Sequence, residues 1–230
     1  MKLIFLNIWG GHEKEALHAF IREQIATTDV FCFQEARERA CVDFLALLTG
    51  YHEVRGPYKV ASENDAFAQV VYVSKKYSLE HTEVLFEKDM EKGQGIVAEI
   101  KAADGGITVC NFHGMSRPVN KLDDLARIAT SKALITAFED KKGLKIIGGD
   151  FNLFPETQSV GMFADHGYVN LIKEYGITNT RNHFAWDRYP DSKQYHSSFI
   201  FVSKDVKVKS FTVPDVEVSD HQPLVLEIGE

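Results

Sequence analysis

The stretch KIIGGDFNLFPE (145–156) begins as an apolar strand and breaks off at two glycines, an acid, a phenylalanine and an amide. The apolar part reads as core, and the polar part after it reads as the rim of a cleft. In extended backbone Asp150 and Asn152 point to one side and Phe151 to the other, so acid and amide face the cleft while the ring faces the core. Gly148 and Gly149 leave room for another backbone or a ligand to approach closely, and Pro155 discourages further strand pairing.

Other apolar runs of strand length end the same way. LIFL (3–6) runs into Asn7, VFCF (30–33) into Gln34 and Glu35, and ITVCNF (107–112) into His113. Further strand-like runs are FAQVVYVS (67–74), GIVAEI (95–100), FIFVS (199–203), VKVKSFTV (206–213) and PLVLEI (223–228). The last is preceded by SDH (219–221), so if that strand runs opposite to the others its polar start lies on the same edge. Helical spacing appears over 12–27 (Ala16, Ala19, Phe20, Ile25), over 37–48, and over 122–138 (Leu125, Ile128, Ala129, Ala133, Ile135). Many strands with a few helices predict an α+β class, sheets packed face to face with helices outside.

Composition sets the bounds. With 230 residues, 44% hydrophobic and 26% charged, the chain can bury one core, and no repeat or Ser/Pro-rich linker divides it; a single domain over 1–230 is expected. The start MKLIFLNIWGG is too short and polar for a signal peptide and no stretch approaches transmembrane length, so a cytoplasmic protein is expected. Cys32, Cys41 and Cys110 form no Cys-x-x-Cys pair and read as reduced, buried thiols. A net charge of −7 gives no overall basic footprint for nucleic acid, although a cation held in an acidic cleft reverses the local sign.

LNIWGG, FQEA, NFH, GGDFN and SDH, in this order and each at a strand edge, resemble the signature set of the endonuclease/exonuclease/phosphatase superfamily of metal-dependent phosphoesterases. Each motif alone is weak; the ordered set, from Asn7 to His221, is specific. The resemblance implies a four-layer αββα sandwich of two mostly antiparallel sheets. It also implies a divalent cation, Mg²⁺ or Mn²⁺, with Glu35 as principal ligand, Asn7 nearby and Asp220 supporting the ion or its waters. Asp150 then orients or deprotonates the attacking water, Asn152 offers amide hydrogens to a phosphoryl oxygen, and His221 and His113 supply hydrogen bonds or protons. Either Asp150 or His221 can be the base. Abasic-site enzymes of the superfamily carry tyrosine where this chain has His113, which argues against that branch.

The long aromatic and basic segment 179–198 reads as a covering loop or as a recognition element, with Arg181 on a phosphate and Phe184, Trp186 or Tyr189 stacking on a planar group. Arg117 and Lys121 add positive charge after His113. His12, His18, His52, His81, His166 and His183 fit no pattern and read as surface or structural. The expected activity is metal-assisted hydrolysis of a phosphodiester, by a nuclease or a small-substrate phosphodiesterase. The acidic balance leans toward single-stranded nucleic acid or a small nucleotide as partner, with no membrane span and no obligate protein partner.

One departure stands out. The family pattern Arg-x-Asp-Tyr reads His-Ser-Ser-Phe here, placing Ser198 where an aspartate normally holds the tautomer of the Ser-Asp-His histidine. Serine stabilises an imidazolium less, so His221 is expected to be less basic than in relatives, with activity reduced or dependent on another partner such as His196. The alternative is a catalytically weakened metal- and phosphate-binding module of the same fold. Ser198→Asp is expected to raise the phosphodiesterase rate in a pH profile; an unchanged or lower rate at every pH contradicts the expectation.

Overall fold

The computed structural model describes every residue except Glu63, Asn64, Met90, Glu91, Ala103, Asp104, Tyr189, Ser192 and Glu230. The chain lays down β1 (Lys2–Asn7), β2 (Val30–Arg37), β3 (Tyr51–Arg55), β4 (Lys59–Ser62) and β5 (Asp65–Ser74) in one sheet. It crosses to a second sheet for β6 (Ser78–Leu85), β7 (Gln94–Ala102), β8 (Gly105–His113), β9 (Leu144–Asp150), β10 (Tyr168–Asn170) and β11 (Ser198–Ser203). It then returns to the first with β12 (Val208–Thr212) and β13 (Leu224–Ile228). The orders are β12-β13-β1-β2-β5-β3, with β4 also on β5, and β10-β11-β9-β8-β7-β6. Among the described residues only β1–β2 and β8–β9 pair in parallel, and β13 does run opposite to β1.

Period-two alternation makes the layers. Leu3, Phe5, Val30, Cys32, Val71 and Val73 join the core shared with the second sheet. Their neighbours Ile4, Leu6, Phe31, Phe33, Val70 and Tyr72 pack against helices α1 (Lys14–Gln24) and α2 (Glu38–Leu47). On the far side Leu134, Ile135 and Phe138 of α3 (Leu125–Glu139) and Val160 and Phe163 of α4 (Gln158–Asp165) cover the second sheet. Helix, sheet, sheet, helix is the predicted α+β sandwich. Short helices α5 (Leu171–Glu174) and α6 (His183–Arg188) lie in the later connections. Among the described residues, no helix is long and apolar enough to cross a membrane.

The glycines of the opening stretch have separate reasons. A Cβ on Gly148 would meet the Phe5 ring of the opposite sheet at 2.8 Å, so the close approach of the sheets needs its absence. Gly149 has φ +135° and a Cβ there would stand 2.0 Å from the Phe112 carbonyl oxygen. Asn152 is not extended, as alternation predicted: at φ +54° it reaches the cleft through a left-handed turn, while Phe151 is buried in the core.

Two helical faces differ from expectation. In α1 the buried residues are Leu17, His18, Phe20 and Ile21, with Ala16 and Ala19 exposed, because the larger side chains gain more from burial. In α3 Leu125 and Ala129 are not buried, and Arg127, Thr130 and Ser131 turn inward with Leu134, Ile135 and Phe138. The strands not expected, β3, β4, β6 and β10, lie at edges or off the main path and carry polar residues, as edges require.

A bulge in β2, between Phe33 and Ala36, sets the site. Glu35 there takes φ +56°, and the ladder to β5 is interrupted. Asn111 on the other sheet repairs the loss: its Nδ2 donates to the carbonyls of Phe33 (2.9 Å) and Val70 (3.0 Å), and its Oδ1 accepts from Gln34. Asn111→Leu keeps the branched heavy-atom skeleton but removes both amide groups and strands their partners in the core, so denaturant unfolding is expected to show a loss of about 2–4 kcal/mol; a loss below about 0.5 kcal/mol contradicts the repair role.

Candidate functional site

The carboxyl ends of β1, β2, β8 and β9 and the start of β11 share one rim of the sandwich. His113, Asp150 and Ser198 are direct cross-strand partners, and Asn7 lies beside Gln34. Ser219 closes the ring, its hydroxyl donating to the Asn7 carbonyl (2.6 Å) while accepting from the His221 N–H (3.2 Å). That turn lets the adjacent Asp220 and His221 both line the cleft. The cleft holds about 380 Å³ and is lined by Glu35, Asp150, Asn152, Asp220 and His221, with Trp9, Lys121 and Arg181 among the others.

Asp150 is the hub. Its Oδ2 accepts from Asn7 Nδ2 (2.9 Å) and faces His221 Nε2 (3.5 Å) and His113 Nε2 (3.8 Å). Its Oδ1 accepts from the Asn152 N–H (3.0 Å) and the Ser197 hydroxyl. Burial pulls the carboxyl pKa upward, but the charges of His221, Lys121 and His113 and the Ser197 hydrogen bond outweigh it and hold Asp150 below the ordinary carboxylate range. Asn7 Nδ2 also donates to Glu35 Oε1 (3.0 Å), and its own Oδ1 accepts from the Trp9 N–H (3.0 Å). Asn7 therefore presents amide hydrogen to the two acids and its oxygen to the backbone.

The donor set fits a divalent cation. One ligand atom each from Glu35, His113 and Asp150 lies within 4.8 Å of the others. His113 Nε2, 3.6 Å from Glu35 Oε1, is buried without a hydrogen-bond partner. A buried polar atom facing two acids without a partner is what an ion's coordination or its waters satisfy.

Ser198 stands where the sequence pattern placed it, with Oγ 3.2 Å from His221 Nδ1. His221 is pushed down to about 4, by burial first and by Arg181 next, so it is neutral near pH 7. Lys121, the other basic group beside Asp150, is lowered by burial to about 7, with Asp150 pulling it back up, so it is partly protonated at that pH. His196 does not replace the missing carboxylate: its Nε2 contacts the Ile177 carbonyl (3.1 Å), in a different connection. Asp220 is ion-paired with Arg181 and its Oδ1 lies 3.9 Å from His221 Nε2; it is not one of the Glu35, His113 and Asp150 group. Asn152 Nδ2 donates to the Gly114 carbonyl (3.2 Å).

Two candidates fall outside. Arg117 is exposed and absent from the cleft lining, although Ser116 and Val119 line it. Trp186 is not itself in the lining: it packs on Tyr195 (5.2 Å) and donates to the carbonyl of Gln194, a lining residue; Tyr189 lies outside the described residues. The large aromatics of the described lining are Trp9 and Phe67; Trp9 lies between His12 (4.7 Å) and Phe184 (6.3 Å), with the Arg188 guanidinium 5.9 Å over its ring. His12, read from sequence as surface or structural, lines the cleft as well. Trp9 was within reach, as the large residue after Asn7 in LNIWGG; Ser197 carried no signal.

Five non-glycine residues have positive φ among those described: Trp9, Glu35, Phe86, Lys121 and Asn152. All but Phe86 line this cleft. Backbone strain of this kind persists where the surroundings over-determine it, and its concentration here singles the rim out as the candidate site.

Residues 4–221 match the model of the Endonuclease/Exonuclease/phosphatase family. No curated protein sequence matches the chain. Among solved structures, the mannosyl-6-phosphatase Bt3783 of Bacteroides thetaiotaomicron is similar at 17% identity and TM-score 0.76, over 100% of both chains. Humanized TDP2 of D. rerio is similar at 15% identity and TM-score 0.78, over 100% of this chain and 99% of that one. The human Nocturnin catalytic domain with bound sulfate anion is similar at 18% and 0.75, over 100% and 93%. At these identities the structures speak for the fold, and the family match speaks for descent. The chain belongs to the endonuclease/exonuclease/phosphatase family.

Proposed function

We propose that this protein hydrolyses a phosphodiester in a reaction dependent on Mg²⁺ or Mn²⁺. The observation that carries the reading is the gathering of Glu35, Asp150 and the partnerless His113 Nε2 from two sheets into one group. Glu35 and Asp150 would hold the ion, with His113 beside them. When bound, a divalent cation neutralises phosphoryl charge and acidifies a water. Asp150, kept ionised, accepts a hydrogen bond from the attacking water and orients it; with the Ser198 hydroxyl donating to Nδ1, His221 keeps its proton on Nε2, facing the same centre. Arg181, whose Nε is buried without a partner, presents its guanidinium to a phosphoryl oxygen. Asn7 keeps the two acids at fixed spacing.

The cleft volume and the Trp9 ring suit a nucleotide-sized substrate with a planar group, in keeping with a small nucleotide or single-stranded end. D. rerio TDP2 has been crystallised with a single-strand DNA product, and a mannosyl-6-phosphatase shares the fold, so both ester classes belong in an assay panel. With bis(p-nitrophenyl) phosphate and Mn²⁺, Glu35→Ala and Asp150→Ala are each expected to lower kcat by about 10²–10⁴-fold, and chelation to abolish turnover. Activity surviving Glu35→Ala contradicts the reading. Metal binding without turnover on the whole panel supports instead the weakened module that Ser198 motivates.

A further inference from the structure

Lys121 is buried to 3% exposure at the floor of the cleft, an unusual place for a lysine. The loop that delivers it is anchored from α3. Buried Arg127 donates to the carbonyls of Pro118 (2.6 Å), Leu122 (2.6 Å) and Met115 (3.4 Å) and to Asn120 Oδ1 (3.3 Å). Asp124 caps the helix through the Arg127 N–H (2.7 Å), and the Lys121 carbonyl accepts from the Phe154 N–H (3.0 Å). Held this way, Lys121 takes φ +55°, a conformation disfavoured for a long side chain. The loop spends strain and desolvation to put one ammonium group here.

That ammonium donates to Ser197 Oγ at 2.6 Å, and Ser197 Oγ donates to Asp150 Oδ1. Ser197 is fully buried and fixed on both sides: its N–H reaches Thr180 Oγ1 (3.1 Å), and its carbonyl accepts from Phe151 (2.9 Å) and Asn152 (3.2 Å). A hydroxyl has one proton and a lysine ammonium can only donate. With a Ser197 lone pair taken by Lys121, the hydroxyl proton is directed to an acceptor. Asp150 Oδ1 is the charged one and the nearer; the Asn152 Oδ1, at 3.5 Å, is the competitor. Pinning Oδ1 leaves Oδ2 turned to Asn7, His113 and His221.

We propose that Lys121, acting through the Ser197 hydroxyl, is a positioning residue that fixes the Asp150 carboxylate for catalysis. This inference rests on the phosphoesterase reading for its consequence but not for its geometry. The test combines Lys121→Met, Ser197→Ala, their double variant and Ser197→Thr, using Mn²⁺-dependent hydrolysis of bis(p-nitrophenyl) phosphate and thermal unfolding. Each of the first two variants is expected to lower kcat about ten- to a hundredfold with KM within about threefold. The double variant is expected to be no slower than the slower single, and Ser197→Thr, which keeps the hydroxyl, to retain most of the rate.

A raised KM with unchanged kcat makes Lys121 a substrate contact and overturns the proposal, as do multiplying losses in the double variant. Should Lys121→Met not fold, Ser197→Ala against Ser197→Thr decides: equal rates overturn it. If the wild type turns over no substrate, the phosphoesterase reading fails by itself. The coupling is then read from unfolding alone, where the losses of the two single variants are expected to be less than additive in the double and full additivity overturns it.

Discussion

One side-chain amide joins the two acids of the opposing sheets at the rim. Asn7 Nδ2 bonds Glu35 of its own sheet and Asp150 of the opposite one, while the Asn7 carbonyl takes the Ser219 hydroxyl. Two carboxylates at this spacing repel each other and resist burial. A neutral donor between them lowers that cost without adding a charge that would compete with a cation. The ring of loops from Trp9 to His221 depends on this join, because the partners of Asp150 come from separate stretches of chain.

Regular strands could not have built it. Alternation points neighbouring side chains to opposite faces, so a rim that gathers acids, amides and imidazoles must break the ladder. The bulge at Glu35, the left-handed residues Trp9, Lys121 and Asn152, and the glycines at 148 and 149 are those breaks. Compensating groups stand nearby. Asn111 takes up the carbonyls freed at the bulge, Arg127 those of the 115–122 loop, and Ser197 the amides of Phe151 and Asn152. Around the rim, the buried polar side chains thus divide between those aimed at the cleft and those that repair the backbone beneath it.

Much of this was legible in the sequence because it is written in local patterns. Apolar runs ending in Asn7, Glu35, His113 and Asp150 marked both the strands and the rim, and the antiparallel return before Leu224 accords with Ser-Asp-His standing ahead of its strand. What was not legible depends on long-range satisfaction. Edge strands such as β6 carry the polarity of loops. Arg127 sits on the buried face of α3 because the oxygens it serves belong to the loop before the helix, which no periodicity reports. Arg117 and Trp186 had the right chemistry beside the right motifs, yet the local turns carry one outward and fold the other onto Tyr195. Trp9 and His12 line the cleft instead. Local rules identify the residues that do chemistry more readily than those that hold them in place.

The phosphoesterase reading turns on whether the acids of the two sheets share one divalent ion, and anomalous scattering from crystals soaked in Mn²⁺ answers that. A peak is expected within about 2–2.5 Å of a Glu35 carboxylate oxygen, on the side facing His113 and Asp150. A Mn²⁺-saturated crystal with Glu35, His113 and Asp150 ordered and no peak among them contradicts the shared ion.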